Sequence, residues 1–223
     1  EEISKISQKY NIWLHVDGAF GGSVIFTEKY FHLLRGIEKS DSFCFNAHKT
    51  LGVPLSTSIL VTKKADALYK SFSNKASYLY QTNDDEYNLG YTSFECGRRN
   101  NALKFWVLWK AIGTDGLKKM VEHEFNLAKY AREYVEGHDD YKLYSFDNSL
   151  SICFNYKDYD PVNLCTKLYE HNQIMVGFGY FNNDSFVRLV TINSENTKKD
   201  IQLFFKKLEE FCHFRNDQIK KIN

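Results

Sequence analysis

Apolar and polar positions divide the chain into short runs of two kinds. Residues 1–10 place Ile3, Ile6 and Tyr10 at helical spacing and predict a helix. Ile12-Trp13-Leu14-His15-Val16-Asp17 reads as a strand that turns polar at its end. Phe43-Cys44-Phe45 is a continuous apolar run, as expected of a strand covered on both faces in a parallel sheet. Between them, residues 27–34 predict a short helix bearing Tyr30, Phe31 and Leu34, and Ser58-Ile59-Leu60-Val61 adds a further strand. This alternation predicts an α/β layer with a mainly parallel sheet. Residues 71–101 show no sustained period and read as a long loop, a kind of segment that in compact domains is usually functional or mobile. Over 102–112, Leu103, Phe105, Trp106, Val107, Leu108, Trp109 and Ile112 surround a helix almost completely, which predicts burial between layers. Gly113 and Gly116 predict its end, and Leu117, Met120, Val121, Phe125, Ala128 and Ala131 then form a one-sided face.

The remaining residues predict a smaller α+β unit. Leu150, Ile152 and Phe154 alternate as a strand, and Asp160-Pro161 supplies an N-cap and first turn for a helix through Tyr169. Ile174-Met175-Val176 begins another strand, and Asn182-Asn183-Asp184 reads as a hairpin turn into 185–192. Thr197 and Asp200 have the spacing of a capping box before Ile201, Phe204, Phe205, Leu208 and Phe211. The pattern places a domain boundary after Ile112, giving segments 1–112 and 113–223.

Composition narrows the classes. The 223 residues are 43% apolar and 16% aromatic, enough for a real core. Lys plus Arg number 29 against 28 acids, so no global field favours nucleic acid or an anionic membrane. No stretch approaches the length of a membrane span or a signal-peptide core. Five cysteines without a C-x-x-C pair indicate neither a disulfide framework nor zinc, and the expectation is a cytoplasmic protein. The chain starts at Glu1 with a helical face already in progress, which reads as the carboxyl part of something longer.

Candidate chemistry centres on Lys49. It follows the Phe43–Phe45 run at the carboxyl end of a strand, where open α/β sheets place their sites, and an amine beside an apolar interior is favoured in its free, imine-forming state. A solvated surface lysine is the bland alternative. Asp17 closes the preceding strand in the same way. Phe186, Arg188, Val190 and Ile192 would share a strand face, setting a guanidinium in an apolar row that calls for an anion, unless the arginine snorkels to solvent or pairs locally.

Two motifs carry a resemblance. His15-Val16-Asp17-Gly18-Ala19-Phe20-Gly21-Gly22 is similar to H-V-D-A-A-W-G-G, and Asn46-Ala47-His48-Lys49 to N-x-H-K, of the group II pyridoxal-phosphate-dependent amino-acid decarboxylases. Ala76-Ser77-Tyr78-Leu79, Cys96-Gly97-Arg98 and Phe186-Val187-Arg188 extend it over nearly the whole chain, toward the glutamate and cysteine-sulfinate branch. The resemblance implies the carboxyl part of a fold-type I enzyme with pyridoxal 5'-phosphate as cofactor, working as a homodimer with shared active sites on a small amino-acid substrate. It implies a Schiff base at Lys49, pairing of Asp17 with the pyridinium nitrogen, and packing of Ala19 on the ring. It further implies that His48 and Asn46 contact the phosphate or orient the imine, that Arg188 binds the substrate carboxylate, and that Tyr78 protonates Cα from a mobile loop reaching the neighbouring subunit. A packed loop tyrosine and a structural His48 are the plain alternatives. The segment between Tyr91 and Cys96 is several residues shorter than in the glutamate branch. The turn holding the cofactor phosphate and the aromatic ring stacked on the pyridine are expected in an amino-terminal half. Rival readings are a decarboxylase of aspartate, an aromatic or a diamino acid, another enzyme on the same fold such as an aminotransferase, and a non-catalytic interaction piece.

Overall fold

A computed structural model of the chain describes residues 1–73, 89–95, 97 and 99–222. The chain falls into two compact units, Glu1–Leu117 and Lys118–Asn223. The loop expected over 71–101 lies largely outside the described residues, and Tyr78, Cys96 and Arg98 with it.

In the first unit α1 (Glu2–Lys9) precedes β1 (His15–Asp17), β2 (Ser42–Asn46), α2 (Ala47–Thr50), β3 (Ser58–Thr62) and α3 (Ala67–Phe72). The sheet order is β1-β2-β3. β1 runs parallel to β2, with His15 opposite Ser42 and Asp17 opposite Cys44, whereas β3 runs antiparallel to β2. Side chains alternate across a strand, so Phe43 and Phe45 share one face and Ser42, Cys44 and Asn46 the other. Phe45 is buried and packs edge-on against Phe26 and Phe105, both at 6.2 Å, and Trp109 closes the cluster against Phe26 at 5.1 Å. The expectation that Cys44 is covered on both faces is therefore corrected: it stands half-buried on a polar face.

Other local expectations also change. α1 forms as expected, but Ile3, Ile6 and Tyr10 are exposed while Ser4 and Ser7 are buried. Both serine hydroxyls are satisfied within the helix, on the carbonyls of Glu1 and Ser4, so the small side chains pack without a polar penalty. A short 3₁₀ segment at Phe31–Leu34, after another at Gly21–Phe26, replaces the helix expected over 27–34, with Tyr30 buried and Phe31 exposed. α3 carries no sequence signal; ring contacts of Tyr69 with Tyr91 and of Phe72 with Phe94 accompany it.

α4 (Asn101–Glu136) is interrupted at Gly113, whose φ of 69° and ψ of 178° leave the helical region. The helix resumes at once, so Gly116 does not break it. Its first part is not buried between layers as expected: Leu103, Trp106 and Val107 are more than half exposed. Phe105 packs on Phe45 of the sheet and on Phe26, and Trp109 on Phe26, whereas the side of the helix bearing Leu103, Trp106 and Val107 stays open among the described residues.

The second unit adds β4 (Tyr141–Leu143), β5 (Ser151–Tyr156), α5 (Pro161–Glu170), β6 (Gly177–Phe181), β7 (Asp184–Val190) and α6 (Lys198–Phe214). The strands form an antiparallel sheet in the order β4-β5-β7-β6. Ile152, Phe154 and Val187 are fully buried, as are Leu164 and Leu168 of α5, Phe205 and Leu208 of α6, and Val121 and Ala131 of α4. Each of these side chains larger than alanine contributes about 1.5–3 kcal/mol of transfer free energy. Asp160 caps α5 by accepting the Asn163 N–H at 2.7 Å. The Asp200 carboxylate accepts both the N–H and the hydroxyl of Thr197 at 2.7 Å. Asn182 and Asn183 adopt φ of 48° and 71°, the left-handed pair a two-residue hairpin turn needs.

Candidate active site

Parallel pairing brings the carboxyl ends of β1 and β2 to the same edge. There the Gly18 N–H donates to the Cys44 carbonyl at 2.8 Å and the Asn46 N–H to the Ala19 carbonyl at 3.3 Å, tying the segment after β1 to the tip of β2. The approach leaves no room for side-chain carbons: a Cβ on Gly18 would stand 2.8 Å from the Cys44 oxygen, and one on Gly22 would stand 2.5 Å from Phe45 Cβ. Asp17, Ala19, Asn46, His48 and Lys49 thus converge on one sheet edge.

Lys49 lies in α2, half-buried, with Nζ 4.3 Å from the centroid of the Phe20 ring. The ring holds the ammonium by a cation–π contact rather than by a carboxylate. Asp17 is exposed, and its Oδ1 accepts the Ala19 N–H at 2.9 Å. His48 is anchored by the backbone of Thr57, whose N–H and carbonyl lie 3.0 and 2.9 Å from Nδ1.

Arg188 belongs to the second unit. On β7 it pairs with Cys153 and Gly177, while the buried side chain of this strand is Val187. The guanidinium is therefore half-buried on the face opposite the core, and Nε lies 3.3 Å from Ser151 Oγ. Ile192 lies beyond the end of β7, which corrects the expected four-residue row.

Sequence reading missed the polar face behind Asp17. Trp13 Nε1 and His15 Nδ1 both meet Ser42 Oγ, at 2.7 and 2.8 Å, and Cys44 Sγ lies 3.6 Å from His15 Nε2 and 3.7 Å from Asp17 Oδ1. Burial raises the pKa of the Cys44 thiol, as does the Asp17 carboxylate, while the Gly18 N–H and the Lys49 charge act in the opposite sense. The signal was available as the period-two series Trp13, His15, Asp17. Phe20 beneath Lys49 and Thr57 behind His48 had no local signal, since both contacts are made only by the fold.

Asp17 ends β1, and Lys49 lies in the helical turn that follows the adjacent parallel strand β2, so a carboxylate and an amine belong to the same sheet edge. Residues 1–157 match the pyridoxal-dependent decarboxylase conserved domain, and the chain belongs to that family. The human acidic amino acid decarboxylase GADL1 is 39% identical over 160 residues, covering 70% of this chain and 31% of that protein. Human cysteine sulfinic acid decarboxylase is 32% identical over 232 residues, covering 94% and 47%. The crystal structure of mouse CSAD superposes with a TM-score of 0.83 at 27% identity over 93% of this chain and 47% of that one. A Catharanthus roseus tryptophan decarboxylase shares the fold, with a TM-score of 0.81 at 22% identity over 95% and 45%. The chain thus spans about half the length of these solved structures and less than a third of the GADL1 protein. Among the described residues no helix is long and apolar enough to cross a membrane.

Proposed function

We propose that the whole protein removes the α-carboxylate of an L-amino acid as CO₂, with pyridoxal 5'-phosphate held covalently by Lys49, and that its substrate is acidic. The observation that carries this reading is the placement of Asp17 at the end of β1 and of Lys49 in the helical turn after the parallel strand β2, in a chain of the pyridoxal-dependent decarboxylase family. The residues present fit that cofactor: Lys49 offers an amine unpaired with any carboxylate among the described residues, and Asp17 Oδ2 accepts no hydrogen bond from them.

When bound, the cofactor supplies an aldehyde that condenses with amines and a ring that accepts the electron pair left by CO₂. Lys49 would hold it through its amine, and Asp17, as a carboxylate, would keep a proton on its ring nitrogen. Ala19 would offer a small side chain to the ring, and Asn46 and His48 would orient the bound group. Arg188 pairs with the substrate carboxylate, and Tyr78 returns a proton to Cα. The domains serving these steps are 1–112 and 113–223, in a homodimer with shared sites. Acidic substrate preference is supported by the two curated relatives, named for acidic amino acids and cysteine sulfinic acid.

Borohydride reduction followed by peptide mapping should place the cofactor on Lys49, and Lys49→Ala should abolish that adduct. Mapping to another lysine would overturn the assignment. CO₂ release measured with glutamate, aspartate, cysteine sulfinate and tryptophan should favour the acids, and preference for tryptophan would overturn the substrate class.

A further inference from the structure

The polar face of β1 and β2 carries a row of linked polar groups. The Trp13 indole N–H donates to Ser42 Oγ at 2.7 Å. His15 Nδ1 meets the same Ser42 Oγ at 2.8 Å, and its Nε2 faces Cys44 Sγ at 3.6 Å. The Cys44 thiol donates to Asp17 Oδ1, 3.7 Å away. Indole, hydroxyl, imidazole and thiol thus lead to a carboxylate oxygen that already accepts the Ala19 N–H. Two donors on Oδ1 fix the rotation of the carboxylate and leave Oδ2 as the oxygen to present.

We propose that Cys44 is a positioning residue for the decarboxylation, its thiol pinning Asp17 Oδ1 so that Oδ2 meets the ring nitrogen of the cofactor. The proposal rests on the role of Asp17 given above. The groups around the thiol are His15 and Asp17 from β1, the Gly18 N–H after it, and Lys49 from α2; on β3 the residue in register is the apolar Leu60. Burial and the Asp17 charge keep the thiol protonated, and only a protonated thiol can donate. Sulfur makes a long, weak bond, but a hydrogen bond to a charged acceptor outweighs a neutral one.

Two measurements test this on the intact protein. In the cofactor-free form, site-resolved iodoacetamide labelling against pH reads the titration of Cys44 by mass spectrometry. Asp17→Asn removes the neighbouring negative charge, so the Cys44 midpoint should move to lower pH; an unchanged midpoint overturns the proposal. In the loaded form, Cys44→Ala should weaken pyridoxal-phosphate retention by about tenfold, the worth of one charge-assisted hydrogen bond, and should shift the pH dependence of the bound cofactor's absorbance. Cys44→Ser keeps a donor and should restore both toward wild type. Alanine and serine variants that both match wild type, or that are equally impaired, overturn the proposal. Failure of the wild-type protein to load on Lys49 counts against the proposed function instead, and the labelling of the cofactor-free form still reports on the Cys44–Asp17 contact.

Discussion

Glu124 sits on the buried face of α4, fully excluded from solvent, and neither carboxylate oxygen has a hydrogen-bond partner among the described residues. Burial pushes its pKa from 4.5 up to about 9. A carboxyl whose folded value lies above its unfolded one binds a proton on folding throughout the window between them, so stability falls as pH rises from about 4.5 toward about 9. Glu124→Gln removes that titration: urea midpoints of the variant should gain on wild type across this window, and parallel pH profiles would show that Glu124 is solvated after all. Gly22 makes the opposite demand, for absence of atoms. Gly22→Ala drives a methyl into Phe45 Cβ, at 2.5 Å, on the strand that ends in Lys49. The variant should lose about 1–3 kcal/mol, the usual cost of overpacking, and wild-type stability would show that the turn yields. At this scale the sequence was legible in placement, as with Lys49 just past the carboxyl end of an apolar strand. It was not legible where geometry alone creates the role. Glu124 looks like one more helix-surface acid, and Cys44 reads as filler between two phenylalanines until the register sets it beside Asp17.

Elements announced themselves wherever a local hydrogen bond or backbone requirement is written into two or three residues. The Asp160-Pro161 start of α5, the Asn182-Asn183 turn and the Thr197–Asp200 start of α6 all form as read. Asp160→Ala leaves the Asn163 N–H without its cap, and α5 should cost the second unit about 1 kcal/mol of stability. Asp160→Asn should recover most of it; equal loss in both variants would mean that charge rather than capping matters. Elements that depend on partners far along the chain were misread. β1 shrinks to three residues because pairing with β2 begins only at His15, and β6 starts at Gly177, three residues later than the apolar run at Ile174 suggested. The apolar stripe of α1 was correctly periodic, yet it faces outward, because periodicity shows that a face exists and not what covers it.

At the scale of the molecule, apolar side chains of the described residues stand open in rows on two helices. Ile3, Ile6, Tyr10, Ile12 and Trp13 are exposed on and after α1, and Leu103, Trp106 and Val107 on the first part of α4. A third region is an open cleft of about 430 Å³ lined by Ile25, Phe31, Ile37, Phe43, Phe45 and Val61. Isolated exposed hydrophobics are ordinary, whereas rows of them on consecutive helical turns mark surfaces that meet other protein. The net charge of +1 supplies almost no long-range repulsion between copies. The 223 residues by themselves are therefore expected to self-associate, with a sedimentation profile that shifts to larger species as concentration rises. Replacing Ile3 and Ile6 with Lys, and Trp106 and Val107 with Glu, puts charge on the open faces without touching the buried Ser4, Ser7 or Phe45. The monomer fraction should then rise severalfold while the melting temperature stays within a few degrees, since these side chains contribute little burial to the folded chain. A wild-type chain that stays monomeric at high concentration would mean that the rows are tolerated in water. A quadruple variant that unfolds would mean that they are packed after all, against residues outside the described set.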